Sequence, residues 1–154
     1  MSLDDLYKEV ILDHYQNPRN HGRLEHPTVA NRGHNPLCGD EVELSLEIEP
    51  QDERIRAIGF TGRGCSISQA SASMMTESVK GHEVADASAL ADGFKELMTG
   101  GGSTDGLGGN EDLEALQGVK KFPVRVKCAL LPWTALLEII ERWETAPGKP
   151  AAAP

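Results

Sequence analysis

Hydrophobic residues change period several times along the chain, and each change marks an element. Leu3, Leu6, Tyr7, Val10, Ile11 and His14 recur at spacings of three and four, which predicts an amphipathic helix over 3–15. Asp4 and Asp5 sit where carboxylates favour a helix start. The run Asn17-Pro18-Arg19-Asn20-His21-Gly22 ends it, because Pro18 cannot continue the amide ladder and Gly22 permits a turn. Residues 23–37, with Pro27, Gly33 and Pro36, read as an extended, irregular segment. The period then falls to two. Val42, Leu44, Leu46 and Ile48 alternate with Glu41, Glu43, Ser45, Glu47 and Glu49, which predicts a half-buried strand with an acidic outer face. After a turn at Pro50-Gln51-Asp52-Glu53, residues Ile55 to Thr61 return as a second strand. So short a connection forbids a parallel crossover, so the pair is an antiparallel hairpin.

Gly62-Arg63-Gly64 breaks the second strand. From Ser66 to Lys80 the residues are small or apolar and read as a helix ending at Gly81. Residues 82–98 predict another helix, with His82 at its start and a break or kink at Gly93. Residues 99–110 hold six glycines and predict a flexible loop. A phosphate cradle is excluded there because no Gly-Lys-Ser/Thr follows. Residues 111–118 form a short helical turn, and Phe122 to Lys127 read as extended chain fixed by Pro123. The last helix runs from about Ala129 to Glu144, with Trp133, Leu136, Leu137, Ile140 and Trp143 on one face and Pro132 in the first turn. These elements make an α+β fold: a small antiparallel sheet with helices packed on one face. One domain spans 1–145, and the Ala/Pro-rich tail 146–154 has nothing to bury and is expected to be disordered.

Charge narrows the partners. Twenty-four acidic against fifteen basic residues give a net charge of -9, which disfavours bulk attraction to nucleic acid or anionic membrane. The same field suits a partner with a basic docking patch, or simply keeps the chain soluble. No long apolar run and no basic-then-apolar leader pattern is present, so a cytoplasmic protein is expected. Three cysteines, an odd number with no CxxC pair, argue against a disulfide framework and for reduced thiols.

Those cysteines carry the candidate chemistry. Cys38 and Asp40 lie in His34-Asn35-Pro36-Leu37-Cys38-Gly39-Asp40, Cys65 in Gly62-Arg63-Gly64-Cys65-Ser66, and Cys128 in Val126-Lys127-Cys128-Ala129. Three thiolates and a carboxylate suffice for a tetrahedral zinc site. Gly39 gives the loop room for Cys38 and Asp40 to face one cation. Cys65 and Cys128 are both expected at helix N-termini, where the dipole favours a thiolate. The alternative, three buried cysteines acting as small hydrophobes, fits poorly with positions at element ends flanked by Gly, Pro or charge. Arg125, three residues before Cys128, is placed to stabilise an anionic sulfur or else is a solvated surface arginine. Of the histidines, His34 is nearest the site in sequence, and His14 is expected to brace the turn at 17–22.

Three stretches together resemble the scaffold superfamily of iron–sulfur cluster assembly proteins. They are Leu6-Tyr7 through Asp13-His14-Tyr15 to Gly22, Asn35-Pro36-Leu37-Cys38-Gly39-Asp40, and Gly62-Arg63-Gly64-Cys65-Ser66-Ile67-Ser68-Gln69-Ala70-Ser71. The likeness covers nearly all of 3–144. Within the superfamily the chain is more similar to the SufU branch than to the IscU branch. IscU-type proteins have a histidine just before the third cysteine, where this chain has Lys127, and SufU-type proteins carry an insertion there, which 99–121 resembles. The resemblance implies a zinc-dependent sulfurtransferase with Cys38, Asp40, Cys65 and Cys128 as metal ligands and Cys38 as sulfur acceptor, assisted by Arg125. It also implies a pyridoxal-phosphate cysteine desulfurase (SufS-like) as donor and a downstream cluster-assembly scaffold as recipient. Two alternatives stay open: a scaffold on which a [2Fe–2S] cluster is built and transferred, and a partner-binding module whose zinc is structural.

Overall fold

The computed structural model describes residues 3–35, 39–100, 104–107 and 109–145. The tail 146–154 lies outside the described residues. In chain order the elements are helix α1 (Leu3–Gln16), strands β1 (Val29–Asn35), β2 (Asp40–Glu49) and β3 (Arg54–Arg63), and helices α2 (Ser66–Val79), α3 (Val84–Thr99), α4 (Glu111–Ala115) and α5 (Pro123–Thr145). Two short 3-10 turns, Thr104–Leu107 and Leu116–Lys121, flank α4. Among the described residues no helix is long and apolar enough to cross a membrane.

The sheet has three antiparallel strands in the order β1-β2-β3. The predicted hairpin is β2-β3, and Val42, Leu44, Leu46 and Ile48 face the core as the alternation requires. The third strand, β1, replaces the irregular segment expected over 23–37. Only Val29 brings an apolar side chain against the core from its inward positions; the two fully buried ones are Gly33 and Asn35. A Cβ on Gly33 would lie 3.0 Å from the Ala135 Cβ and 3.3 Å from a Leu131 methyl, so the strand packs under α5 through the lack of a side chain. Hydrophobic periodicity cannot register such a strand.

The acidic outer face of β2 is matched by arginines. Arg32 reaches Glu43 (3.3 Å), Arg63 reaches Glu41 (3.2 Å), and Arg56 pairs with Glu47 and Glu49. These pairs are solvated, each contributing at most about 1 kcal/mol, and they fix the outer face more than they stabilise it. The free edge of β3 is closed at both ends. Gly22 donates to the Phe60 carbonyl and Phe60 to the Asn20 carbonyl, while Ile55 donates to His82 and Val84 to Glu53. Gly59 must be glycine because a Cβ there would strike the Gly22 carbonyl.

Helix α2 is the spine, buried along most of its length against α1, α5 and β3. Small residues let its neighbours approach closely, and its buried hydroxyls are all used. Ser71 donates to the Ala129 carbonyl (2.6 Å) and accepts from Trp133 Nε1 (3.0 Å). Trp133 also stacks on Phe94 of α3, with centroids 4.8 Å apart. Helix α3 runs through Gly93 without the expected break, its core face being Ala87, Ala91, Phe94 and Leu97. Part of the expected flexible loop is ordered too: Leu107 is 2% exposed and anchors the first 3-10 turn in the core.

The largest departure is at the C-terminal helix. Phe122 to Lys127 is not extended chain; α5 begins at Pro123, which takes the first helical position where a missing N–H costs nothing. Pro132 therefore lies inside the helix rather than in its first turn, and cannot donate to the Cys128 carbonyl.

Candidate metal centre

Asp40 opens β2, paired in register with Asn35 of β1. Gly39 before it has φ +71°, a conformation glycine adopts without strain, and donates to the Asn35 carbonyl. Cys38, expected here as ligand and sulfur acceptor, belongs to the β1-β2 connection and lies outside the described residues. The Asp40 carboxylate is buried at 1% exposure. Its Oδ1 accepts the backbone N–H of Cys65 (2.9 Å), and its Oδ2 stands 3.7 Å from the Cys65 Sγ.

Cys65 is the N-cap of α2, as the break at Gly64 foretold. Gly64 sets this geometry. With φ +147° it is in a region that side-chain-bearing residues avoid, and a Cβ there would overlap the Asp40 carboxylate. Removing a single methyl's worth of volume therefore lets a carboxylate sit against the turn that carries a thiol.

Cys128 is not at a helix N-terminus. It lies in the second turn of α5, fully buried, with its Sγ 3.9 Å from the Val124 carbonyl one turn back. No helix dipole supports its thiolate. Even so, the ligand atoms of Asp40, Cys65 and Cys128 all lie within 4.8 Å of one another. An ion with bonds of about 2.3 Å to sulfur and 2.0–2.2 Å to oxygen spaces tetrahedral donors about 3.5–3.8 Å apart; the 3.7 Å between Cys65 and Asp40 matches that spacing, and the Cys128 sulfur lies within 4.8 Å of both.

Arg125, on the same face of α5 one turn before Cys128, adds the missing positive charge. Its guanidinium is held above its ordinary pKa by the neighbouring Cys65 sulfur first and by Cys128 second. Arg125 thus faces the site, not bulk solvent alone. His34, the other polar candidate, is exposed on β1.

A second trio, His14, Glu77 and Asp112, also gathers within 4.8 Å, and sequence reasoning assigned it no grouping. His14 is 1% exposed; Nδ1 meets Ser73 Oγ and Nε2 meets Asp112 Oδ2, both at 2.8 Å. A carboxylate only accepts, so Nε2 carries a proton. Ser73 also accepts the Arg19 amide (2.9 Å), so His14 does brace the turn at 17–22. Arg19 already places a cation 3.7 Å from Glu77. This cluster ties α1, α2 and α4 together.

Comparison with known proteins places this geometry. Residues 6–129 match the family model described as the NifU-like N-terminal domain. The chain is 45% identical over 135 residues to the zinc-dependent sulfurtransferase SufU of Bacillus subtilis, covering 88% of this chain and 89% of that one. It is 42% identical to the iron–sulfur cluster assembly scaffold protein IscU of Streptococcus pyogenes serotype M1, covering 91% of this chain and 86% of that one. Among solved structures, a candidate cluster assembly scaffold protein for the SUF system from Fervidobacterium islandicum superposes with a TM-score of 0.77 at 32% identity, over 86% of this chain and 94% of that one. With three distant segments converging on one thiol-and-carboxylate site, and with matches of this extent, the chain belongs to the NifU-like N-terminal domain family.

Proposed function

We propose that this protein is a zinc-dependent sulfurtransferase that accepts persulfide sulfur from a cysteine desulfurase for iron–sulfur cluster assembly. The observation that carries the reading is the convergence of Asp40, Cys65 and Cys128 within 4.8 Å, from segments far apart in the chain. Asp40, Cys65 and Cys128 would hold the zinc, with Cys38, two residues before Asp40, as the fourth ligand. When bound, the metal supplies a charge that keeps cysteine thiols deprotonated at neutral pH.

In the transfer, the Cys38 thiolate attacks the terminal sulfur of the donor's persulfide. The donor's S–S bond breaks, its cysteine leaves as a thiolate, and Cys38 becomes a persulfide; no external oxidant is needed. Cys65 and Cys128 are fixed to helices, whereas Cys38 belongs to a short strand connection, which favours it as the acceptor. Arg125 places its guanidinium where negative charge on sulfur accumulates.

Mass spectrometry tests this. The zinc-loaded protein is incubated anaerobically with its desulfurase and cysteine; one added sulfur on Cys38 is expected. Undiminished sulfur acceptance by Cys38→Ala would overturn it. A second reading is favoured by the same donor trio and by the IscU-named relative: a scaffold that carries a [2Fe–2S] cluster as cargo. Lys127 speaks against it, since an ammonium cannot ligate iron and this one is exposed. A stable visible chromophore on supplying iron and sulfide would favour the scaffold.

A further inference from the structure

The run Lys120-Lys121-Phe122-Pro123-Val124-Arg125-Val126-Lys127 is unlike the rest of the surface. Four of the chain's fifteen basic residues fall in these eight positions, with no acidic one, in a protein of net charge -9. Phe122 and Val124 are 52% and 68% exposed, two of the four large hydrophobic residues left in solvent among the described residues. Isolated exposed hydrophobics are ordinary, but two within three residues, in a stretch whose only charges are cationic, are not.

The local structure explains why they are out. The 3-10 turn ending at Lys121 meets α5 at Pro123, and the first turn of α5 projects from the body before Cys128 enters the core. The arginines of the sheet face and of the α1 turn all have carboxylate partners. Lys120 and Lys127 form none of the ion pairs found among the described residues. Lys127 directly precedes Cys128 in the chain, and Arg125, inside the run, faces Cys65 and Cys128.

We infer that residues 120–127 form a docking surface for the sulfur donor, on a donor face that is acidic around an apolar socket. Val124 and Phe122 enter the socket, and Lys120 and Lys127 pair with its rim. This rests on the sulfur-acceptance reading: a donor persulfide must reach within bonding distance of the site, so the surface bordering the site is covered during transfer. Charge complementarity selects the partner's sign. An acidic protein attracts an acidic face only where its own field reverses locally, and among the described residues this run is where cations concentrate.

The test uses the full chain, zinc-loaded, and its cognate desulfurase. Lys120→Glu/Val124→Asp is expected to weaken desulfurase binding by about tenfold or more, with wild-type binding falling as salt rises and the variant's nearly flat. Sulfur loading from inorganic polysulfide, which needs no docking, is expected to be unchanged. Arg142→Gln, an exposed cation in the last turn of α5 at the far end of the helix from Cys128, serves as the control and should bind as wild type. If the first variant unfolds, the charge-only variant Lys120→Gln/Lys127→Gln decides, with a several-fold loss expected. Wild-type affinity in a folded patch variant would overturn the surface while leaving sulfur acceptance standing. Failure of the unmutated chain to bind the desulfurase or gain sulfur would overturn both.

Discussion

At Cys65 the backbone is held by polar contacts: the Asp40 carboxylate takes its amide, the Cys65 carbonyl accepts the Ser68 hydroxyl, and Gly64 supplies a turn no other residue makes without strain. At Cys128 the work is done by apolar packing. The thiol sits inside a regular helix, and α5 is pinned behind it by Trp133, by Phe94 stacked on Trp133, and by Ser71 reaching across from α2. Two thiols of one candidate site thus depend on different physics. The polar side is local and set by a few atoms; the packed side is distributed and shares its stability with the whole core.

Five substitutions break or sharpen that contrast. Trp133→Ala should have the largest effect on folding, about 3–5 kcal/mol for a buried indole, read as a lowered denaturation midpoint. Zinc affinity should fall with it, because the helix carrying Cys128 loses its seat. Gly64→Ala should cost about 2–4 kcal/mol from strain and overlap, and abolish most zinc binding in a competition titration. Gly39→Ala, at φ +71° with open space around it, should cost only about 1 kcal/mol. Equal losses from the two glycine variants would mean the Asp40 contact is not the reason for Gly64.

Ser71→Ala comes next, at about 1–3 kcal/mol, since it leaves the Trp133 N–H and the Ala129 carbonyl without their buried partner. The smallest effect is expected at Asp13, an exposed residue of α1. Its hydrogen bond to Arg19 (2.7 Å) lowers its pKa. A depressed carboxylate pKa gives stability that is present above the unfolded value, about 3.9, and is lost as pH falls through the folded one. Asp13→Asn should therefore be slightly less stable than wild type at pH 7, and the gap should close under strong acid. A gap that persisted there would show that the asparagine disturbs packing and not charge.

The same contrast explains what the sequence made legible. The Cys65 side was readable, because a glycine-rich break between an alternating strand and a small-residue helix writes its geometry into local residue types. The hairpin of β2 and β3 was readable for the same reason. The Cys128 side was misread: Val124 and Val126 around Pro123 look extended, yet proline is at ease in the first turn of a helix, and the buried run of α5 from Cys128 onward carries the helix back over the weak preference of two valines that are themselves not buried. Strand β1 was missed because the buried positions of its inward face are Gly33 and Asn35, which admit α5 and do not repel water, leaving Val29 as its one inward apolar side chain. The pairing of His14 with Asp112 joins residues 98 apart, and no local pattern announces it.

The covered edge of β3 has one more consequence. An open strand edge is a template on which another chain can crystallise its own backbone, as peptides do in strand-addition complexes and as misfolded chains do in fibrils. Here Asn20–Gly22 and His82–Val84 already occupy the outward amides and carbonyls at both ends of that strand. A partner can read this side of the molecule only through its side chains, and a stray strand finds few backbone groups there to grow upon.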